Sequence, residues 1–368
     1  MKRIITTALL ASATLFGPPA VADPSADLIA AATDEGTVTV YSFTSRVFKV
    51  EQAFEAAYPG IDLIPFDISS TEQITRLQSE LDAGIANADV AYLADASVVV
   101  GALVEPGHLE AYVPDAFADR IPDQFKSPLL AHRLSTKVLM YNEEANPDGA
   151  PVSNLWELTT ADWTGRVVMV DPSTRGDNLD HLTEITLQSD AMADAYKAHF
   201  GTDIALGSDI QNAGQQFIAD LMQNDVIFVS STDDVNAAVG AVGQDNPPIG
   251  FTSYSDRRDN EEEGWALQVA NGVAPAPGII YPAFLGMVEN APNPNAAKLL
   301  IEFMMGDNCC SGGVALEPFY VAGDYLTRTD LAPHPDAIPL SDFNAWRIDP
   351  EATGAARTDV ADLVLSLQ

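Results

Sequence analysis

Hydrophobic and polar positions along the chain repeat one order: a short β-rich run, a polar turn, and then apolar residues at helical spacing. The first example is Val38–Tyr41, followed by the polar turn 42–46 and by helically spaced apolar residues over 47–54. At such a corner, backbone N–H groups and the helix dipole favour an anionic or polar ligand. The pattern therefore predicts one wall of a binding cleft, with Thr44 or Ser45 as the cap of the helix.

Further strand ends carry the same kind of polar corner. Ser69 and Glu72 have the spacing of a capping box. The strands and the corners that follow them are Asp62–Asp67 with Ser69–Glu72, Ala88–Leu93 with Asp95–Ser97, Arg166–Val170 with Ser173–Arg175, and Val226–Val229 with Ser230–Thr232. Strands that alternate with helices are typical of a parallel or mixed α/β sheet, in which ligands bind beyond the carboxyl ends of the strands.

Two stretches break this alternation and predict crossings between two lobes. Ser135–Tyr141 is β-rich but is followed by a proline-containing loop instead of a helix, which indicates a crossing into a second lobe. Two short β-rich runs over 267–281 indicate the crossing back to the first lobe. We therefore predict an α/β fold of two lobes, with mixed sheets flanked by helices and a ligand cleft between the lobes. Residues 23–133 and 276–368 are expected to form the discontinuous first lobe, and residues 134–275 the second.

The polar corners supply the candidate ligand-binding residues, most of which carry a hydroxyl group or a positive charge. Serine and threonine also cap helices, so each corner has a purely structural alternative. The first lobe contributes Ser42, Thr44, Ser45, Arg46, Ser69, Ser70, Thr71 and Asp95, and the second contributes Ser173, Thr174, Arg175, Ser230, Ser231 and Tyr254. Asp95 has the alternative role of a helix cap, and Tyr254 that of a core residue.

The N-terminus and the charge of the chain predict an exported protein. Lys2 and Arg3 precede the apolar run 4–16, and Ala20–Ala22 fits the small-x-small cleavage pattern, so residues 1–22 are predicted to be a cleaved signal peptide. The residue directly after the cleavage site is Asp23 and not a cysteine, which argues against lipidation. Loss of Lys2 and Arg3 takes the formal net charge from −35 to −37, which argues against binding to nucleic acid or anionic membranes.

Catalytic and metal chemistry find little support in the sequence. The motifs Gly-x-Ser-x-Gly, HExxH and CxxC are absent, so we expect no enzyme, no cofactor and no metal site. The five histidines are scattered without metal-ligand spacing: His108, His132, His181, His199 and His334. The adjacent Cys309 and Cys310 fit disulfide geometry poorly, so we expect a local structural role or a strained vicinal bridge.

Five segments together resemble the type II periplasmic substrate-binding proteins of ABC transporters, and more narrowly their ferric-iron- and sugar-phosphate-binding branch. The segments are TVTVYSFTSR at 37–46, FDISSTEQITRLQSE at 66–80, ADVAYLAD at 88–95, LSTKVLMYN at 134–142 and YPAFLGMVENAPNPNAAKLLIEFMM at 281–305. The resemblance covers nearly the whole mature chain. It implies a two-lobed fold that closes on its ligand by hinge motion and delivers it to a membrane permease, but it does not fix the ligand.

Ferric iron and an organic anion are the two candidate ligands. The resemblance implies that iron members hold Fe(III) with adjacent tyrosines from the second lobe and His or Glu from the first, which are hard donors suited to that ion. Here Tyr254 is followed by Ser255, and the first corner carries Arg46, whose charge would repel iron. Arg46 and Arg175 lie beside helix N-termini, where guanidinium, dipole and N–H groups act together on a phosphate or carboxylate.

We therefore predict a periplasmic, non-lipidated and monomeric binding protein. It is expected to deliver a small anionic organic solute, such as a sugar phosphate or another phosphate or phosphonate ester, to an inner-membrane ABC permease. The alternative is a ferric-iron-binding protein of an iron importer, in which Tyr254 would be a metal ligand. A secreted enzyme and a sensor subunit that hands its ligand to a membrane receptor are the other two classes.

Overall fold

The computed structural model describes residues 24–307 and 312–368. The predicted signal peptide 1–22 and the Cys309–Cys310 pair lie outside the described residues. Within the described ranges, no helix combines the length and the apolar character that crossing a membrane requires.

The described residues form short strands and helices that follow one another closely along the chain. The strands are β1 (Thr37–Ser42), β2 (Asp62–Asp67), β3 (Val90–Leu93), β4 (Leu109–Glu110), β5 (Leu130–Asn142), β6 (Val167–Val170), β7 (Ile227–Val229), β8 (Ile249–Thr252), β9 (Leu267–Val269), β10 (Gly278–Val288), β11 (Tyr325–Leu326) and β12 (Trp346–Arg347). The helices are α1 (Ala26–Glu35), α2 (Val47–Ala57), α3 (Ser70–Asp82), α4 (Ala96–Val99), α5 (Gly176–Leu187), α6 (Ser189–Phe200), α7 (Ala213–Gln223), α8 (Thr232–Gly240), α9 (Asn260–Glu263), α10 (Pro294–Met304), α11 (Gly313–Leu316) and α12 (Pro350–Leu367).

One mixed sheet runs through the molecule in the order β2-β1-β3-β10-β5-β8-β6-β7. Its two ends are parallel, β2-β1-β3 on one side and β8-β6-β7 on the other. The long antiparallel pair β5 and β10 lies between them, with Val138 opposite Gly278 and Leu130 opposite Leu285. Since β8 is antiparallel to β5, the carboxyl ends of the two parallel groups point toward each other.

Each end of the sheet has its own hydrophobic core, which gives the two lobes. The core of the first lobe packs α2 and α10 on β1 and β2, with Phe54, Leu63 and Leu300 fully or almost fully buried. The core of the second lobe packs α5 and α7 on β6 and β8 around Trp156 and Phe217. The two-lobed α/β fold predicted from the alternating pattern is confirmed.

The C-terminal helix α12 touches both lobes. It packs on α5 and α7 of the second lobe, where Val360 and Val364 join the core, and on α4 of the first lobe. Gly354 permits the second contact, because a Cβ atom there would lie 2.6 Å from the carbonyl oxygen of Ser97. The sequence prediction assigns α12 to the first lobe, and the predicted boundaries at 133/134 and 275/276 stay predictions.

Several local predictions need correction. Neither Thr44 nor Ser45 caps α2, because the turn places Arg46 at the N-cap position, where no side chain accepts a hydrogen bond from the first turn. The capping interaction at α3 does form, since the Ser69 hydroxyl accepts from the N–H of Glu72. The strand predicted over 135–141 extends over the whole of β5, because its polar residues are buried and paired rather than exposed.

Candidate ligand-binding cleft

A cavity of about 200 Å³ lies where the carboxyl ends of the two parallel strand groups face each other. The corner after β1, the middle of the β5–β10 pair, and the corners after β6, β7 and β8 form its walls. Its charged lining residues are Arg46, Arg133, Arg175, Arg258, Asp67, Asp177, Asp233 and Asp256. The formal charges of these eight side chains cancel, whereas the whole chain carries −35, so the cavity is much less negative than the rest of the molecule.

The corner after β1 is held by its own polar groups. The Ser42 hydroxyl donates to the carbonyl of Thr44 and accepts from the Thr44 N–H, so this buried serine closes the turn. The turn directs Arg46 into the cleft, where its Nη1 pairs with Asp324 Oδ2 and donates to the carbonyl of Pro318 at 3.2 Å. Arg46 keeps 11% of its side chain exposed, and Asp324 none.

Arg133 forms the floor of the cavity from strand β5. Its fully buried guanidinium donates from Nη1 to Asp324 Oδ1 at 2.6 Å and from Nε to the hydroxyl of Tyr92 at 2.9 Å. Phe319 and Phe43 lie against the same guanidinium, 5.3 and 5.5 Å from its central carbon to the ring centroids. The remaining nitrogen, Nη2, is buried and has no hydrogen-bond partner among the described residues.

A chain of hydrogen bonds behind the floor fixes the position of Arg133. The Tyr92 hydroxyl, which accepts from Arg133, lies 2.7 Å from Nδ1 of His132, and His132 Nε2 lies 2.9 Å from the carbonyl of Met304. A carbonyl oxygen only accepts, so Nε2 carries the proton and Nδ1 accepts from Tyr92. Burial, with the nearby charge of Arg133, lowers the pKa of His132 to about 3, in agreement with this neutral tautomer.

The second lobe brings another cation and a carboxylate to the cavity at the start of α5. Asp177 Oδ2 lies 3.0 Å from the buried Lys137 ammonium and accepts from the Tyr281 hydroxyl at 3.4 Å, and Asp177 Oδ1 lies 3.7 Å from Arg175 Nε. Burial opposes ionisation of Asp177, but the charges of Lys137 and Arg175 outweigh it and hold the pKa of this carboxyl well below its usual value. Asp177 is therefore an ionised acceptor at the cavity wall.

The corner after β8 contributes a further arginine. Arg258 Nη1 donates to Asp256 Oδ1 at 2.8 Å, and Arg258 Nη2 lies 2.9 Å from Asp259 Oδ2. The other oxygen of Asp256 accepts from the Asn236 amide at 3.0 Å. These contacts orient Arg258 toward the cavity, and 29% of its side chain stays exposed.

A narrow pocket lies next to the cavity, and its walls come from both lobes. Its walls are Ser69–Thr71, Asp95 and the Arg175–Asp177 segment. The Thr71 hydroxyl donates to Asp95 Oδ2 at 3.2 Å. Gly176 is required beside this carboxylate, since a Cβ atom there would lie 1.9 Å from Asp95 Oδ2.

Behind the narrow pocket, one arginine of α12 faces two buried carboxylates. Arg357 Nη1 lies 2.7 Å from Asp180 Oδ1, and its Nη2 lies 3.9 Å from Asp95 Oδ2. The Ser97 hydroxyl donates to Asp180 at 2.7 Å. Burial raises the pKa of Asp95 to about 6 and that of Asp180 to about 7, with Arg357 opposing both shifts.

The structure brings some of the predicted site residues to these two pockets and leaves others away from them. Thr44, Ser45, Arg46, Arg175 and Ser231 line the main cavity, and Ser69, Ser70, Thr71 and Asp95 line the narrow pocket. Ser42, Ser173, Thr174, Ser230 and Tyr254 line neither pocket.

Local bonding explains these five placements. Ser42 is buried within its turn, the Ser173 N–H and the Thr174 hydroxyl bond Asp171, and the Ser230 hydroxyl donates to Asp234. The ring of Tyr254 stacks on Phe343 in the core with centroids 5.7 Å apart, and its hydroxyl donates to the carbonyl of Asp336 at 3.2 Å.

Sequence reasoning missed the residues that the long strands supply. Arg133 and Ser135 line the cavity, and Lys137 supports Asp177 from the same strand. These three polar residues alternate along β5, which is the signal that could have placed them on one face. No sequence signal marks Asp324, which reaches Arg46 across 278 residues of chain.

The described residues include no group of three or more His, Cys, Asp or Glu side chains placed to hold a metal ion.

Comparison with known proteins links the chain to one family and one fold. The family model of the bacterial extracellular solute-binding proteins matches residues 36–307. A search of curated proteins found no match.

Three solved structures illustrate the shared fold. Iron-bound HitA from Pseudomonas aeruginosa is 16% identical over 90% of this chain and 99% of its own, with a TM-score of 0.68. AfuA from Actinobacillus pleuropneumoniae, with exogenous fructose-6-phosphate bound, is 18% identical over 90% and 97%, with a TM-score of 0.65. Apo ferric ion-binding protein A from Pasteurella haemolytica is 16% identical over 90% and 98%, with a TM-score of 0.66.

Proposed function

Because the chain belongs to the bacterial extracellular solute-binding protein family, we propose that it is a periplasmic binding protein that delivers a small anionic organic solute to an ABC importer. The solute class that we propose is a phosphate or phosphonate ester, such as a sugar phosphate. HitA binds iron and AfuA binds fructose-6-phosphate on this fold, so the fold alone does not choose between these ligands.

The observation that carries the proposal is the group of four arginines around one cavity. Arg46 follows β1, Arg133 lies on β5, Arg175 precedes α5 and Arg258 follows β8. The chain has only 18 Lys and Arg residues against 53 Asp and Glu, so four guanidinium groups at one cavity are a marked local concentration. Guanidinium groups bind phosphate and carboxylate through paired, charge-assisted hydrogen bonds.

The same geometry disfavours ferric iron as the ligand. The four guanidinium groups offset the four carboxylates of the cavity, so its lining has no excess negative charge to hold a trivalent cation. The hydroxyl of Tyr254, the tyrosine that an iron site would use, donates to the carbonyl of Asp336. The lining hydroxyls of Thr44, Ser45 and Ser231 suit the polar body of an organic solute.

Native mass spectrometry of protein purified from the periplasm without refolding tests this function. We expect an added mass of a few hundred daltons that releases a phosphorus-containing fragment, and its loss on denaturation. Addition of that solute to the stripped protein should raise the thermal midpoint, because a ligand that bridges two lobes stabilises the closed form. An added mass of iron, with a visible tyrosinate absorbance, would instead identify an iron-binding protein.

A further inference from the structure

Two arginines of the cavity, Arg46 and Arg133, share a single carboxylate. Asp324 accepts from Arg46 on one oxygen and from Arg133 on the other. The side chains of Arg133 and Asp324 are fully buried, and that of Arg46 almost so. Within this group of three side chains, two guanidinium charges meet one carboxylate, which leaves a local excess of one positive charge.

One hydrogen-bond donor of this group is also unused. Nη1 and Nε of Arg133 are occupied by Asp324 and Tyr92, but the buried Nη2 has no partner among the described residues. A buried charged donor without a partner costs free energy, so such donors in folded proteins meet a water, an ion or a ligand. The aromatic rings of Phe43 and Phe319 flank this guanidinium and limit the directions from which a partner can approach.

Another part of the cavity lining has different chemistry. Asp67 and Asp177 lie there with Arg175. Burial raises the pKa of Asp67, Arg175 opposes this shift, and the charge of Asp233 adds to it. Carboxylates accept hydrogen bonds from hydroxyl groups and repel a second anion, so this part suits the uncharged, hydroxyl-bearing end of a solute.

We propose that Arg46 and Arg133, held together by Asp324, form an oxyanion subsite that takes the phosphoryl group of the solute, with its hydroxyl-bearing end toward Asp67 and Asp177. This inference rests on the proposed function and deepens it, because it gives the solute an orientation. Arg133 is the central residue, since its free Nη2 supplies the donor that the fold itself leaves unmatched.

Inorganic phosphate is the probe for the subsite, with calorimetric titration and the thermal midpoint as readouts. The wild-type protein should bind phosphate saturably at millimolar concentration. Arg133→Lys keeps the charge but cannot serve Asp324, Tyr92 and a ligand at once, so its affinity should fall roughly 10-fold or more. Arg46 is the more exposed of the two arginines, and Arg46→Gln should lose phosphate affinity by a similar factor. If Arg133→Lys does not fold, the phosphate affinity of Arg46→Gln tests the subsite.

Arg76→Gln is the matched control, because Arg76 lies on α3 and pairs with Glu80. It should bind phosphate like the wild type. Wild-type affinity in both Arg133→Lys and Arg46→Gln, or no phosphate binding by the wild type, would overturn the subsite.

Different results would overturn the proposed function and the proposed subsite. A phosphate ester that copurifies and binds equally well to Arg133→Lys and Arg46→Gln leaves the function standing and removes the subsite. Iron or a neutral solute in the purified protein, with phosphate binding still dependent on Arg133, leaves the subsite standing and removes the function.

Discussion

Two buried clusters of charged side chains border the cleft. One contains two positive groups and one negative group, and the other contains one positive group and two negative groups. In the Asp324 cluster, one carboxylate is shared by Arg46 and Arg133. In the Arg357 cluster, one guanidinium is shared by Asp180 and, at longer range, Asp95. Both clusters join segments that are far apart in the chain.

The difference between the clusters lies in what can neutralise the uncompensated charge of each. The Asp324 cluster carries an extra positive charge and opens onto a cavity, where an anionic ligand can meet it. The Arg357 cluster carries an extra negative charge and is covered by the packing of α12 on α4 and α5, with only Asp95 reaching the narrow pocket. There burial favours a proton on the carboxylates, and the pKa values of Asp95 and Asp180 are raised accordingly. If the proposed subsite is correct, similar side chains favour anion binding in one place and proton uptake in the other.

The largest expected effect comes from neutralising the centre of the Asp324 cluster. Asp324→Asn leaves two buried guanidinium groups without a carboxylate, and breaking a buried ion pair typically costs about 3–5 kcal/mol. We expect a corresponding loss in the free energy of unfolding, measured by urea titration. Phosphate should raise the thermal midpoint more in this variant than in the wild type, because it replaces the missing negative charge.

Asp203→Asn is the control for this variant. Asp203 forms an exposed pair with Lys197, so its loss should change stability far less. A phosphate-induced shift in Asp324→Asn no larger than that of the wild type would mean that Asp324 does not compensate an anion site.

The next effect comes from the Arg357 cluster and depends on pH. The pKa values of Asp95 and Asp180 rise from 3.8 to about 6 and about 7, so the folded state binds more protons than the unfolded state between these values. Their contribution to stability therefore grows as the pH falls from 7 toward 4. Arg357→Gln should cost about 1–3 kcal/mol at pH 8, where both carboxylates are charged, and less at pH 5. Urea unfolding at the two pH values measures the difference.

Arg347→Gln serves as the comparison, because Arg347 is exposed and lies ten residues earlier in the same part of the chain. Its effect should be small and equal at both pH values. A cost for Arg357→Gln that is the same at pH 5 and pH 8 would contradict proton uptake by this cluster.

The smallest expected effect concerns the histidine behind the Asp324 cluster, and its sign is opposite. The pKa of His132 falls from 6.5 to about 3, so the unfolded state binds more protons in that window and stability is lost as the pH falls. His132→Gln can accept from Tyr92 and donate to Met304, so it should cost about 1 kcal/mol at pH 7 and flatten the decline between pH 6.5 and 4.5.

His199→Gln, at an exposed position, should leave the pH profile of stability unchanged. Denaturant unfolding at several pH values compares the slopes of the three proteins. A decline in His132→Gln as steep as that of the wild type would show that His132 does not cause it.

The sequence alone determined the fold class and several corners of the cleft. Alternating strand and helix patterns are local, so they located β1, β3, β6 and β7 within two residues and identified the turns that follow. Because those strands end toward each other, Thr44, Arg46, Arg175 and Ser231 meet at the cavity as the pattern suggests. The direction of a side chain depends on packing with distant parts of the chain, as Tyr254 shows. The turn that begins at this residue directs its ring into the core, against Phe343.

Only the tertiary structure decided which charges meet. Asp324 joins Arg133 across 191 residues, and Arg357 joins Asp180 across 177. No periodicity connects such positions, because contacts of this kind depend on how the long strands and α12 pack against distant elements. The sequence therefore specifies a cleft with polar corners, whereas burial and pairing in the folded chain determine which of its charges are left for a ligand and which for a proton.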